Sequence, residues 1–314
     1  FDNLKTYRDI KLFIFKLKPD IIFSYTVKPV VFSGIVIKNL SNIKFFPLIT
    51  GLGYAFTSFK FFKSFKRSFV KLILIYLYKK AFSQATSILF QNSEDKKLFM
   101  KLKLIKKKTP VFITNGSGVN LKQFKRTLYP KKPVFLMISR LLVDKGIREY
   151  VEAAYEVKKK YPKARFVLVG SLDSNPSSID FNLIKSKKFK SAIEHYRWHD
   201  DIRPFLKSCK FFILPSYREG TPRSTLEALA FGRPIITTNV PGCKETVING
   251  RNGYMIKPRD VGALQNAMIK LINTNDKDIK KMSEESFILA KKKFDVKKVN
   301  KYIIEILNRY QWVY

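Results

Sequence analysis

Residues Phe211 to Asn239 read FFILPSYREGTPRSTLEALAFGRPIITTN, and the order of residue types in this stretch decides the fold. The apolar run Phe211–Leu214 ends at Pro215, as a short buried strand does. A polar loop follows and carries Glu219 and Gly220. A helix is predicted to start near Pro222 to Ser224 and to stop at Gly232, with Pro234 just beyond. A β-branched run opens at Ile235, which gives strand, loop, helix and strand within 29 residues. Such a loop, fed by a parallel strand and leading into a helix amino terminus, collects unpaired N–H groups and the positive end of the helix dipole, so it suits phosphate. Glu219 and Glu227 bracket it, seven residues between them. Ser224-Thr-Leu-Glu227 also has the spacing of a capping box, with Ser224 as N-cap, and a capping Glu can still face a ligand.

Working outward, the alternation continues in both directions. Downstream and upstream strands are expected at Val134–Ile138, Phe166–Val169, Ile193–Tyr196, Ile235–Thr238 and Tyr254–Ile256, with helical segments between them. Segments 260–271, 277–294 and 296–310 read as closing helices. Nearer the start, a basic helix over residues 5–18 precedes strands at Ile21–Tyr25, Phe45–Ile49, Ser87–Gln91 and Val111–Thr114, with a helix at 30–38. The class is α/β, two doubly wound parallel sheets with sites at the carboxyl ends of their strands. Asn115-Gly-Ser-Gly-Val-Asn120 is turn-rich.

With 314 residues the chain is long enough for two cores, and 46% hydrophobic with 27% charged residues is globular. It begins at Phe1 with no apolar leader and reads as a fragment or a processed chain. Cys209 and Cys243 form no framework, which fits a reducing cytosol, although one bridge between them is not forbidden. The net charge of +37 asks for an anionic partner or reflects composition alone. Neither zinc-finger spacing nor an RNP motif accompanies it, so nucleic acid is not expected; a membrane surface and a diphosphate are the better partners. Segment Phe59–Ala81 interleaves Phe61, Phe62, Phe65, Phe69, Leu72, Ile73, Tyr76 and Leu77 with Lys60, Lys63, Lys66, Arg67 and Lys71. Its apolar part is shorter than the ~20 residues of a bilayer span. It reads as an interfacial helix, or as a buried one with a basic outer face.

Glu219-Gly-Thr-Pro-Arg-Ser-Thr-Leu-Glu227 resembles the nucleotide-sugar signature of glycosyltransferase family 4, retaining enzymes of the GT-B fold with two Rossmann-like domains facing a cleft. The likeness covers the later half of the N-terminal domain and all of the C-terminal one; relatives begin earlier, with further βα units. Asn115–Asn120 is similar to the family's interdomain segment, which implies boundaries at 1–124 and 125–295, with a last helix at 296–314 that crosses back to the first domain in relatives. It implies that Glu219 meets the donor sugar, that Gly220, Thr221 and Pro222 line sugar and phosphate, that Ser224 and Thr225 offer N–H groups to phosphate, and that Glu227 accepts from the ribose hydroxyls. A carboxylate beside an oxocarbenium-like transition state is sound chemistry for glycosyl transfer. Arg140 and Lys145, just past the strand Val134–Ile138, match the family's pair of cations on the diphosphate, Arg as a fork and Lys as a point charge. Thr50-Gly51-Leu-Gly53-Tyr54 is similar to an acceptor-cleft loop of members that build lipid-linked or capsular sugars; an ordinary tight turn has the same sequence.

Some positions depart from the family. Arg197 stands where relatives have glycine, and Trp198 beside it either flanks a uracil or packs. His195 and His199 are the chain's two histidines and lie on a strand running into a loop, so no metal is expected. Asp200-Asp201 are adjacent, unlike the Asp-x-Asp of the other large glycosyltransferase fold, and the N-terminal catalytic His of many relatives has no counterpart. Glu245 is expected to be structural, in the first turn of a helix. The resemblance implies a transferase that moves a hexose or N-acetylhexosamine from a UDP-sugar to a polyprenyl-diphosphate-linked sugar, without cofactor or metal. It would sit peripherally on the cytoplasmic face of the membrane, assembling surface polysaccharide. The rivals are a UDP-sugar 2-epimerase on the same fold and a non-catalytic fragment that binds nucleotide or polyanion.

Overall fold

The structure is a computed structural model, and it describes residues 2–40, 42–52, 56 and 65–310. It contains two compact units, Phe1–Gly116 with Val299–Tyr314, and Ser117–Lys298. The chain thus changes unit between Gly116 and Ser117, ahead of the 124/125 boundary read from the sequence, and returns at Val299, inside the last helix.

The first unit runs α1 (Asp2–Leu17), β1 (Ile21–Tyr25), α2 (Val27–Val36), β2 (Lys44–Ile49), α3 (Phe65–Phe82), β3 (Ile88–Phe90), α4 (Ser93–Lys101) and β4 (Val111–Ile113). Its four strands lie parallel in the order β1-β2-β3-β4, with Ile21 opposite Lys44 and Leu89 opposite Phe112. Such strands are covered on both faces, which is why Phe45–Ile49 is uninterruptedly apolar and buried. Successive residues serve opposite faces: Leu89 joins Phe46, Leu48 and Ile306, while Phe90 joins Tyr78, Phe82 and Phe99. Ile306 belongs to the last helix, α12 (Val296–Asn308). Helices α2 and α3 touch at Gly34, where an added Cβ would lie 2.7 Å from Ala81.

Helix α3 is apolar on two sides. Tyr78, Ala81 and Phe82 enter the core, whereas Phe69, Leu72, Ile73 and Tyr76 are all exposed. Those four positions follow the i, i+3, i+4, i+7 spacing of a single stripe. No described helix is long and apolar enough to cross a membrane. Residues 59–64 of the expected segment lie outside the described residues, as do Gly53 and Tyr54; Gly51 is described, with φ 121°.

The second unit runs β5 (Val134–Ile138), a 3₁₀ turn (Val143–Lys145), α5 (Ile147–Lys160), β6 (Arg165–Val169), α6 (Phe181–Lys185), α7 (Lys187–Ala192), β7 (Ile193–Tyr196), α8 (Arg203–Ser208), β8 (Phe211–Leu214), α9 (Arg223–Ala230), β9 (Ile235–Thr238), β10 (Gly253–Ile256), α10 (Val261–Asn273) and α11 (Asp276–Lys293). All six strands are parallel, in the order β10-β9-β8-β5-β6-β7. The first strand of the unit, β5, is central: chain order runs outward from it one way through β6 and β7, then resumes on its other side at β8. That reversal opens a crevice beyond the carboxyl ends of β5 and β8. Phe135, Phe166 and Phe211 stack across the middle strands, with ring centroids 5.2 and 4.9 Å apart. Both cysteines are buried and free.

Arg233, just past α9, is fully buried without a carboxylate partner. Its guanidinium donates instead to Leu206 O (2.9 Å), Thr127 O (3.1 Å), Thr127 Oγ1 (2.5 Å), Leu128 O (3.2 Å) and Lys207 O (3.4 Å). One side chain thereby joins the end of α9, the carbonyls of α8 and the segment 127–128.

Candidate nucleotide-sugar site

The turn after β5 and the loop after β8 meet at the crevice, and glycine makes the contact possible. Gly146 has φ 77°, and a Cβ there would lie 2.3 Å from Pro215 O. Tyr217 N donates to Asp144 O at 2.8 Å, a second tie between turn and loop. Behind them the Tyr217 hydroxyl donates to Glu149 Oε1 on α5. The docking brings Lys145 Nζ to 2.5 Å from Glu219 Oε1, with side chains only 17% and 12% exposed. Ser216 Oγ donates to the same oxygen at 2.7 Å. Burial pulls the Lys145 ammonium down, but the Glu219 carboxylate against it and Asp144 beside it outweigh this, and its pKa is raised. Burial also lifts the Asp144 carboxyl. Glu219 N donates to Pro241 O at 3.0 Å, and Gly242 passes so close that a Cβ would lie 2.4 Å from Glu219 O. The carboxylate therefore stands on a rigid support.

The capping box does not form. Helix α9 starts at Arg223 with Pro222 in the N-cap position and no side-chain cap. Ser224 is inside the first turn, and the Glu227 carboxylate is taken by Arg223, whose Nε donates to Oε1 at 2.9 Å. A proline N-cap has no side-chain oxygen to offer, so the i, i+4 pair on one helix face is the stronger local contact. Burial raises the Glu227 carboxyl above its ordinary range, and Arg223 opposes that rise.

These groups line one cavity of about 430 Å³, within the range of nucleotide and drug pockets. Its walls are Ile138–Arg140 and Lys145 from the end of β5 and the turn after it, Val169–Gly170 at the end of β6, Trp198–Ile202 after β7, Leu214 of β8 and Glu219 of the loop after it, Pro222–Ser224 and Glu227 at the start of α9, and Gln123–Phe124. In a chain of net charge +37 the lining carries no cationic surplus: Arg140, Lys145 and Arg223 face four carboxylates, Glu219, Glu227, Asp200 and Asp201. Arg140 is 58% exposed and spends one donor, Nη1, on Asp173 at 2.9 Å. Asp173 is fixed by the Asn175 N–H on its other oxygen, and that bond first, then Arg140, holds its carboxyl below the usual range. Trp198 is exposed and tethered at the rim, its N–H accepted by Ser171 Oγ at 2.9 Å and its Nε1–H by Asp200 Oδ1 at 3.1 Å.

Of the residues singled out by sequence, Arg140, Lys145, Trp198, Glu219, Pro222, Ser224 and Glu227 share this cavity. Gly220 and Thr221 are buried away from its lining. Thr225 is wholly buried in the core, its Oγ1 unpartnered, and its N–H donates to Pro222 O at 3.1 Å, so it offers nothing to a phosphate. Lys145 belongs as much to Glu219 as to any diphosphate. Glu245 sits in a 3₁₀ turn, Lys244–Thr246, rather than in an α-helix. His195 Nε2 is bonded to Gly170 O and His199 Nδ1 to Arg197 O. Among the described residues no group of three or more His, Cys, Asp and Glu is arranged to hold a metal ion. Sequence reasoning missed Arg223 and Asp173. Arg223 had a signal, its four-residue spacing from Glu227 at a helix start; Asp173 reaches Arg140 only through the path of a loop.

Residues 119–308 match the family model described as glycosyl transferases group 1, and residues 1–92 match a glycosyl transferase 4-like model. A Campylobacter jejuni relative, N,N'-diacetylbacillosaminyl-diphospho-undecaprenol alpha-1,3-N-acetylgalactosaminyltransferase, is 33% identical over 254 residues, which are 76% of this chain and 64% of that protein. An Escherichia coli relative, UDP-Gal:alpha-D-GlcNAc-diphosphoundecaprenol alpha-1,3-galactosyltransferase, is 28% identical over 90% of this chain and 75% of its own length. HepE of Anabaena, crystallised with UDP-glucose, superposes with a TM-score of 0.80 at 18% identity, over 96% of this chain and 82% of HepE. The two parallel-sheet α/β units are those of the GT-B glycosyltransferases. The first-named relative extends well beyond its match to this chain, which spans less than two thirds of its length. With one family model running through all but the first two residues of the unit that carries the Glu219–Glu227 cavity, and so through more than half of the chain, the chain belongs to the group 1 glycosyl transferases.

Proposed function

We propose that the chain is the donor-binding and part of the acceptor-binding portion of a retaining glycosyltransferase. It moves a hexose or N-acetylhexosamine from a UDP-sugar to a polyprenyl-diphosphate-linked sugar in bacterial surface-glycan assembly. The observation that carries this reading is the Lys145–Glu219–Ser216 cluster facing Glu227 across one cavity at the strand-order reversal. The names of the Campylobacter jejuni and Escherichia coli relatives support the class of acceptor.

In this reading Glu227 accepts from the ribose hydroxyls, Trp198 lies along the base, and Arg140 meets the diphosphate. Glu219 offers negative charge to the donor sugar as the anomeric carbon becomes electron-poor. Its carboxylate is already oriented by Lys145 and Ser216, so little reorganisation accompanies the reaction. Lys145 has a double role, holding Glu219 while presenting positive charge to the departing diphosphate. Cations do this work, and no metal is required. The exposed stripe of α3, flanked by Lys71, Lys79 and Lys80, rests on an anionic membrane surface at its cytoplasmic face, where the lipid-linked acceptor is found. Nucleic acid has no part in this reading.

The test is heat-induced unfolding with UDP and UDP-sugars, on the parent chain, Glu227→Ala and Arg140→Ala. A ligand bound only by the folded state raises Tm by an amount that grows with the logarithm of its concentration. UDP should stabilise the parent, and both variants should lose most of the shift. Stabilisation by heparin or DNA with none by any nucleotide overturns the proposal.

A further inference from the structure

The cavity is short of uncommitted positive charge. A nucleoside diphosphate brings two or three negative charges to a lining that already holds four carboxylates. Lys145 is bound to Glu219 at 2.5 Å, so much of its charge is neutralised before a ligand arrives. Arg140 is bound to Asp173 through one nitrogen. Arg223 is the remaining cation of the lining, and the sequence motif gives it no role.

Its geometry is specific. Arg223 is the first residue of α9, at the positive end of the helix, and 73% of its side chain is exposed. The Nε donates to Glu227 Oε1 at 2.9 Å, and both residues line the cavity. Among the described residues its two Nη atoms bond to nothing. A guanidinium anchored through Nε presents its Nη pair as a fork, the arrangement that matches two oxygens of a phosphate.

We infer that Arg223 binds the diphosphate of the donor directly while orienting the carboxylate that holds the ribose. This rests on the cavity being a nucleoside-diphosphate site and adds a phosphate ligand beside Arg140 and Lys145. One side chain then couples the ribose contact to the diphosphate contact. The Nε end keeps Glu227 ionised and aimed, and the Nη end completes the charge balance that Lys145, tied to Glu219, leaves open.

The experiment is calorimetric titration of the parent chain, Arg223→Ala and Arg223→Lys with UDP and, separately, with uridine. Loss of charge-assisted bonds to phosphate should raise the Kd for UDP roughly 10- to 100-fold in Arg223→Ala. Uridine lacks the phosphates and should weaken by only about twofold, the size of an i, i+4 pair whose Arg223 end is exposed, acting through Glu227. Arg223→Lys keeps charge without the fork and should fall between parent and Arg223→Ala for UDP. Unfolding of the free variants should stay close to the parent, because the side chain is largely exposed. Equal losses for uridine and UDP, or UDP binding as tight as the parent's, overturn the diphosphate contact. A parent chain that binds no UDP overturns the reading of the site itself, a result distinct from either.

Discussion

Replacing Gly146 by Ala tests how the site is assembled, because it acts on the contact between two loops and touches no ligand. Two costs are separable. At φ 77° an Ala occupies the left-handed region, at about 1–2 kcal/mol. The new Cβ would also lie 2.3 Å from Pro215 O, so turn and loop must part by about 1 Å, at a further ~1–3 kcal/mol. A total near 3 kcal/mol corresponds to a fall of roughly 6–12 °C in the Tm of a unit this size. Gly250→Ala is the control: its φ is 78°, but nothing lies within 4 Å of the added atom. That variant should show the backbone cost alone. Parting the loops also stretches the 2.5 Å Lys145–Glu219 contact, so Gly146→Ala should lose sugar transfer far beyond its loss of stability. The assays are differential scanning calorimetry and turnover of UDP-sugar on a lipid-linked acceptor. If both variants melt together and Gly146→Ala turns over like the parent, the docking of turn on loop is not what builds the site.

Three further outcomes follow from the same geometry. Burial raises the Glu227 carboxyl, so protonation begins above the ordinary Glu range, and UDP affinity should fall as pH drops through that raised value; in Arg223→Ala the fall should begin at higher pH still. Titrations with UDP across a pH series check both signs. Arg233→Met removes five hydrogen bonds and leaves carbonyls of two segments, 127–128 and 206–207, without their donor in the interior, so it should destabilise by about 3–5 kcal/mol, read in denaturant unfolding. Replacing Phe69, Leu72 and Ile73 together by Ser should abolish sedimentation with vesicles rich in anionic lipid and leave the Tm unchanged, since all three are exposed. A variant that still sediments overturns the proposed membrane contact of this stripe.

The sheets were legible because parallel strands buried on both faces carry an unambiguous apolar signal, and each strand read from the second unit's sequence forms within a residue. The Glu219–Glu227 spacing was legible too, since it depends on one loop and one helix start. What the sequence hid is which way side chains of that helix point. Pro222 takes the N-cap, which rotates Thr225 into the core and leaves Arg223, Ser224 and Glu227 facing the cavity. A shift of one residue in the cap decides this, and helix ends are poorly specified by local pattern. Lys145 was recognisable as a site residue, but its partner was not. The pairing with Glu219 joins residues 74 apart and depends on Gly146 admitting Pro215 O. Arg140 and Asp173, 33 apart, pair for the same kind of reason. Contacts made by the crossing of two loops leave no periodicity in the chain.

The lining of the cavity, free of cationic surplus inside so basic a chain, separates arrival from retention. A surplus of 37 positive charges acts over distances comparable to the Debye length, about 8 Å at physiological ionic strength, and speeds the approach of any anion. Inside the cavity, cations already paired with carboxylates contribute through oriented, short-range bonds that salt scarcely screens. Added salt should therefore slow the association of donor nucleotide while leaving its rate of departure nearly constant. The same arrangement lets the protein draw in many anions and keep few: inorganic phosphate shares the outer attraction with the proposed UDP-sugar, but meets four carboxylates against three cations once it enters.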